Sequence, residues 1–148
     1  MSAHSTLAPP SVDALLQRSR ERLVRVGPVQ ASAELQDGAL LVDIRPEAQR
    51  RLQGEVGGSL VLERNVLEWR LDPTSSARIP EALGHHIRVI LLCSEGYTSS
   101  LAAASLHDLG LTRTTDVVGG LGAWRAAGLP LTRGGTPAGQ RVPTAPAP

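Results

Sequence analysis

The stretch VILLCSEGYTSSLAAASLHDLG, Val89 to Gly110, decides how this chain is read. It begins as an apolar run and reaches Cys93, the single cysteine of the 148 residues. Ser94-Glu95-Gly96-Tyr97 follow, and then an alanine-rich stretch from Thr98 that Gly110 ends. The run has the continuous apolar character of a strand buried on both faces, and the alanine-rich stretch reads as a helix. Cys93 therefore stands at the carboxyl end of a strand, where open parallel sheets bind their ligands.

A loop this short must be tight. Successive backbone N–H groups in such a loop curl into a concave nest for anions, and the helix behind it adds unpaired donors and a partial positive charge. That setting favours sulfur in its anionic form. Gly96 permits a backbone shape that a Cβ would obstruct. The competing reading is a small hydrophobic residue packed at a strand end without chemistry, and these residues alone leave both readings open. No histidine is placed to act as base. His85 and His86 precede the same strand, roughly 20 Å from the sulfur at ~3.3 Å per residue. His107 lies on the order of 13 Å along the following helix, and His4 is in the opening segment. Any activation of the thiol falls to the backbone.

Outward from this stretch the chain alternates strands and helices. Residues 1–10 are small, polar and end in proline, so disorder is expected there. SVDALLQRSRERLVRV predicts a helix within 11–27, capped by Ser11, with its arginines on a solvated face. SAELQDG predicts a short helix capped by Ser32 and stopped at Asp37-Gly38. ALLVDI is a second continuous apolar run that ends at Asp43-Ile44-Arg45, and Pro46 opens the helix PEAQRRLQ. GEVGGSLVL turns into a short strand, RNVLEWRLDP and IPEALG read as short helices, TTDVVGG as a last strand and LGAWRAAGLP as a final helix. Residues 134–148 are Gly/Pro/Ala-rich and expected to be a disordered tail. The whole predicts an α/β domain with a central, mainly parallel sheet of about five strands.

Composition narrows the function. Hydrophobic residues make up 41% of the chain and aromatics 2%, without Phe, so the core must be Leu, Val, Ile and Ala. A net charge of +1 gives no electrostatic case for a nucleic acid or an anionic membrane as partner. One cysteine excludes an intramolecular disulfide and a cysteine-based zinc cluster, so no metal is expected. The opening segment lacks an apolar core of signal-peptide length, and a cytoplasmic location is the expectation.

Four landmarks, in order, resemble the single-domain rhodaneses, or rhodanese-like sulfurtransferases. They are LLVDIRPEAQ, GEVGGSLVL, VILLCSEGYTSS and VVGGLGAWRAAGLP, and together they span about residues 28–133. The resemblance implies a three-layer rhodanese-like domain. It also implies that Cys93 takes a sulfane sulfur from thiosulfate, a polysulfide or a protein persulfide, and holds it as a persulfide. The sulfur then passes to cyanide or a thiol, without a cofactor. Partners would be small sulfur-containing anions or a protein thiol or persulfide. Ser94, Glu95, Gly96, Tyr97 and Thr98 would form the anion cradle, with Tyr97 walling the pocket. Thr98 and Ser99, besides capping the helix with Ser100, would offer hydroxyls to the persulfide. Asp43 and Arg45 leave a strand at the same end, either to orient groups beside the sulfur or to fasten strand to loop as an ion pair.

The departures from that pattern bear on substrate. Many family members carry Arg at the first and fifth positions after the cysteine; here these are Ser94 and Thr98, and Glu95 adds a negative charge. Attraction for thiosulfate should be weaker, which keeps a non-catalytic binding or redox-sensing module as the alternative. Glu55 and Gly57 replace His and Pro of the second landmark, a structural variation in a segment expected mainly to shape a turn. The related cell-cycle phosphatases need Arg at the sixth position, where this chain has Ser99, so phosphate-ester hydrolysis is not expected.

Overall fold

The apolar runs pair into one parallel sheet in the computed structural model, which describes residues 9–144. The strands are β1 (Leu40–Asp43), β2 (Leu60–Val61), β3 (Val89–Leu92) and β4 (Thr114–Asp116), in the order β2-β1-β3-β4. Val42 aligns with Leu60 on one side and Leu91 on the other, and Leu91 aligns with Asp116. About five strands were expected and four form among the described residues, with an isolated parallel bridge between Val26 and Val117 extending the β4 edge.

Alternate residues of β3 face opposite sides, and each side has its own core. Val89 and Leu91 pack with Leu67, Leu71, Ala102 and Leu106, whereas Ile90 and Leu92 pack with Ala31, Leu121 and Trp124. Helices α4 (Leu67–Leu71) and α5 (Thr98–Asp108) cover the first face; α2 (Pro28–Gln36) and α6 (Gly120–Ala126) cover the second. The result is three layers. Full burial of a side chain such as Leu91 contributes about 2 kcal/mol over exposure, so the aliphatic core compensates for scarce aromatics. The remaining helices are α1 (Val12–Glu21), whose Ser11 cap accepts the Ala14 N–H at 3.1 Å, and α3 (Glu47–Gln53) after Pro46. α1 packs on α5. Among the described residues no helix is long and apolar enough to cross a membrane.

Three expectations need correction. α2 begins at Pro28 after Gly27, not at a Ser32 cap, because the fixed φ and missing N–H of proline suit a first helical position. IPEALG forms turns rather than a helix, and Ile79 and Ala82 tuck into the core from irregular backbone. Residues 134–144 are packed on the domain, not disordered. Val142 is buried and its N–H donates to Ser59 O at 2.8 Å, while Val61 N–H donates to Gln140 O at 3.0 Å. The expected disorder of 1–8 and 145–148 falls outside the described residues.

The substitution at Glu55 explains that ordering. Glu55 is fully buried and pairs with the equally enclosed Arg50. It also accepts the Thr136 hydroxyl at 2.7 Å and the N–H groups of Gly135 and Thr136 at 3.2 and 3.3 Å. Burial alone would raise its carboxyl, but hydrogen bonds from Thr136, Arg50 and Gly135 outweigh that and hold it below the usual range. Glu55 is thus an anchor for the C-terminal segment, bridged through its backbone to Thr132, and the turn lies after it at Gly57 and Gly58.

Candidate functional site

β3 delivers Cys93 to the carboxyl edge of the sheet, and the loop 94–97 turns directly into α5. The turn depends on Gly96, whose φ of +84° suits glycine; a Cβ there would come within 2.8 Å of Gly119 N and 3.1 Å of Val117 O. Beneath it, Gly120 at φ +60° leaves no room for a Cβ against the Cys93 carbonyl. The start of α6 holds the loop from below: Leu121 N–H donates to Cys93 O at 2.8 Å and Gly122 N–H to Ser94 O at 3.1 Å. On the other side the Gly96 N–H donates to Cys93 Sγ at 3.2 Å. Glycine conformation and a second glycine pair thus bring a main-chain donor onto the sulfur.

The sulfur has a second partner. The Cys93 thiol donates to Ser99 Oγ at 3.2 Å, and the Ser99 hydroxyl donates to Asp116 Oδ2 at 2.7 Å. Ser100 donates to the same oxygen at 2.8 Å. Asp116 is wholly buried at the end of β4 and is neutralised by Arg25, whose Nε reaches Oδ1 at 2.8 Å and Nη2 reaches Oδ2 at 3.1 Å. The expected capping by Thr98, Ser99 and Ser100 is not what forms. The cap residue is Tyr97, without a side-chain cap bond, and the two serines serve the carboxylate instead.

Cys93 is buried, with 4% of its surface exposed, at the floor of a surface cavity of about 410 Å³. Ser94, Glu95, Tyr97 and Thr98 line it, joined by Arg45 and Gln49. Of Asp43 and Arg45, which form an ion pair, only Arg45 reaches the cavity. Arg45 Nε and Nη2 reach the two Asp43 oxygens at 3.0 and 2.6 Å, and its Nη1 and Nη2 also donate to Gln53 Oε1 and Gly54 O. Both side chains are fully enclosed, and Arg45, held by Asp43, forms part of one wall of the cavity. The Gln53 amide donates to Ser94 Oγ at 2.7 Å and ties the loop to that frame. A second hollow of about 540 Å³ lies at the other end of the sheet and is lined by the Glu34–Arg88 pair, with no thiol near it.

Sequence reasoning missed Gln53, Arg20, Arg25 and Asp116. Asp116 had a partial signal, since it is the last residue of its strand, as Asp43 is of β1. The arginines had none: each meets partners more than seventy residues away. They do not lie on a solvated face. Arg20 and Arg25 both direct Nη2 at the Gly96 carbonyl, at 2.7 and 2.9 Å, and Arg20 sits over the Tyr97 ring at 5.6 Å from its centroid.

A family model for the rhodanese-like domain matches residues 28–127. Among curated proteins the chain is 30% identical over 123 residues to adenylyltransferase and sulfurtransferase MOCS3-1 of Zea mays, a match covering 83% of this chain and 25% of that protein. The chain therefore spans about a quarter of that relative's length. A protein of unknown function from Rhodopseudomonas palustris, described as a possible tyrosine phosphatase, superposes with a TM-score of 0.75 at 29% identity, over 85% of this chain and 97% of that one. The polysulfide-sulfur transferase of Wolinella succinogenes shares the fold with a TM-score of 0.65 at 23% identity, over 80% and 85% of the two chains.

Proposed function

We propose that this chain, which belongs to the rhodanese-like domain family, is a sulfurtransferase that carries sulfane sulfur on Cys93. The observation that carries the reading is the placement of Cys93 Sγ at a cavity floor, with the Gly96 N–H and the Ser99 hydroxyl group both 3.2 Å away. The sulfurtransferase named in the maize relative supports it.

In the first half-reaction the Cys93 thiolate attacks the outer sulfur of a donor. A new S–S bond forms, the donor's own S–S bond breaks, and the remainder leaves with the electron pair. Cys93 then holds an anionic terminal sulfur. In the second half-reaction an acceptor thiolate or cyanide attacks that sulfur, and the Cys93 thiolate departs. The two steps replace one difficult transfer, and fixed donors aimed at the anionic sulfur do the stabilising. Ser99 is suited to this change of charge. Once the thiol proton is gone, its hydroxyl can turn from Asp116 to sulfur, because Asp116 keeps Ser100 and Arg25. Arg45 is spent on Asp43, Gln53 and Gly54, so the Asp43–Arg45 pair shapes the wall while Ser94, Glu95, Gly96, Tyr97 and Thr98 form the cradle and its mouth.

Glu95 at the mouth and the uncharged Ser94 and Thr98 disfavour a small dianion such as thiosulfate and favour a protein persulfide as donor. The phosphatase description of the Rhodopseudomonas structure does not transfer: Ser99 occupies the position where a phosphate clamp needs a guanidinium, and its hydroxyl is given to Asp116. Thiocyanate production from cyanide tests the reading. Turnover with polysulfide or thiosulfate as donor, abolished in Cys93→Ala, is expected. A thiol that alkylates yet supports turnover with neither donor would instead indicate a binding or redox-sensing module.

A further inference from the structure

The matched family domain begins at residue 28, yet two side chains from before it reach the loop that carries Cys93. We propose that the N-terminal segment 12–26 is a working part of the site, in which Arg20 and Arg25 are positioning residues for the cradle around Cys93. For its effect on transfer the proposal rests on the sulfurtransferase reading; for its effect on the thiol it does not.

Both guanidinium groups converge on one oxygen, the Gly96 carbonyl, at 2.7 and 2.9 Å. Charge-assisted bonds of this kind are strong, and two on a single carbonyl fix the orientation of its peptide plane. In a trans peptide the N–H points opposite to the carbonyl. Holding the Gly96 oxygen under α1 therefore turns the Tyr97 N–H away from α1, while the preceding N–H, that of Gly96, stays on Sγ. Arg20 also donates from Nε to Ser100 Oγ at 3.1 Å, and its plane lies over Tyr97. Arg25 secures Asp116, which in turn holds Ser99 against the sulfur.

The charges behind the loop do not cancel. Arg25 and Asp116 neutralise each other, and Asp43 and Arg45 do the same on the opposite wall. Glu95 is exposed at the mouth. Among the described residues Arg20 is left as the positive charge nearest the back of the cradle, bonded to the carbonyl of the residue whose N–H is the donor on sulfur. The segment thus places its positive charge behind the cradle, not at the mouth where Ser94 and Thr98 lie. It orders the donors without adding a cation to the mouth, so it should affect the rate of sulfur chemistry and leave the attraction of a small anion unchanged.

Arg20→Gln is the informative variant, because it strands nothing buried: Gly96 O keeps Arg25, and Ser100 keeps Asp116. Arg18→Gln, on the exposed side of the same helix, is the control. Two quantities are read: the rate of Cys93 alkylation by iodoacetamide at neutral pH, and kcat and KM for sulfur loading from polysulfide. Removing a direct donor to a developing anion costs about a hundredfold or more, and a group acting through the backbone should cost less, roughly tenfold. Arg20→Gln should slow alkylation and lower kcat by about that factor with KM unchanged. Arg20→Lys should recover part of both, because an ammonium can still reach the carbonyl. Arg18→Gln should match wild type. Alkylation and kcat of Arg20→Gln equal to those of Arg18→Gln would overturn the proposal and leave α1 as a cover for the sheet. A changed KM at constant kcat would also overturn it. If alkylation follows the proposal but no variant loads sulfur, the brace stands and the sulfurtransferase reading falls.

Discussion

The Ser99 hydroxyl lies between two unlike partners: it donates to the buried carboxylate of Asp116 at 2.7 Å and accepts the Cys93 thiol at 3.2 Å. Asp116 does not depend on it, having Ser100 and Arg25 as well. Ser99→Ala should therefore cost little in stability, about 1 kcal/mol for one hydrogen bond. It should slow persulfide formation on Cys93 by about tenfold to a hundredfold, the scale of one donor to an anion. Single-turnover loading, followed alongside thermal melting, separates the two effects. A large loss of stability with unchanged loading would show that Ser99 only holds α5 in place.

Gly96→Ala tests the loop itself. A Cβ at this positive φ meets backbone atoms of Gly119 and Val117, which cannot swing aside as a side-chain end would. The strain and overlap should cost about 2–4 kcal/mol, seen in urea unfolding. Loading should fall further than stability accounts for, because the displaced N–H is the one on Sγ.

The Glu55 anchor has a pH signature. Its folded carboxyl titrates below the ordinary value of 4.5, so it stabilises the fold fully above that pH, and the contribution is lost as pH falls through the folded value. Wild type should lose stability on acidification below pH 4.5 more steeply than Glu55→Gln, which cannot titrate. Glu55→Ala, which leaves Arg50 buried without its partner, should cost about 3–5 kcal/mol at neutral pH. It should also release the C-terminal segment, so that trypsin cuts after Arg133 much faster than in wild type.

Thr98 is exposed and lines the cavity, with room for a longer side chain toward the mouth. Thr98→Arg should lower KM for thiosulfate about tenfold, from roughly 1.5 kcal/mol for a hydrogen bond to a charged group. Loading by a neutral donor should change little. Equal gains for both would mean that charge at this position does not govern donor choice.

The placement of the site was legible because the signals were local. A continuous apolar run ending at Cys93, then Gly96 and an alanine-rich helix, dictated strand, tight loop and helix in that order. The roles around the sulfur were less legible because they depend on distant partners. Ser99 and Ser100 looked like caps from their position at a helix start, but a buried carboxylate sixteen or seventeen residues later outcompetes the cap. Arg20 and Arg25 resembled a solvated helix face until α1 docked on α5. The C-terminal segment has the composition of a disordered tail, yet Glu55 supplies the buried acceptor that orders it.

The most direct test of sulfur carriage on Cys93 is the intact mass of the protein after incubation with polysulfide, compared with Cys93→Ala. Wild type should gain the mass of one sulfur atom, lose it again on addition of cyanide or a thiol, and leave the variant unchanged. No gain on wild type, with Cys93 still open to alkylation, would contradict the account.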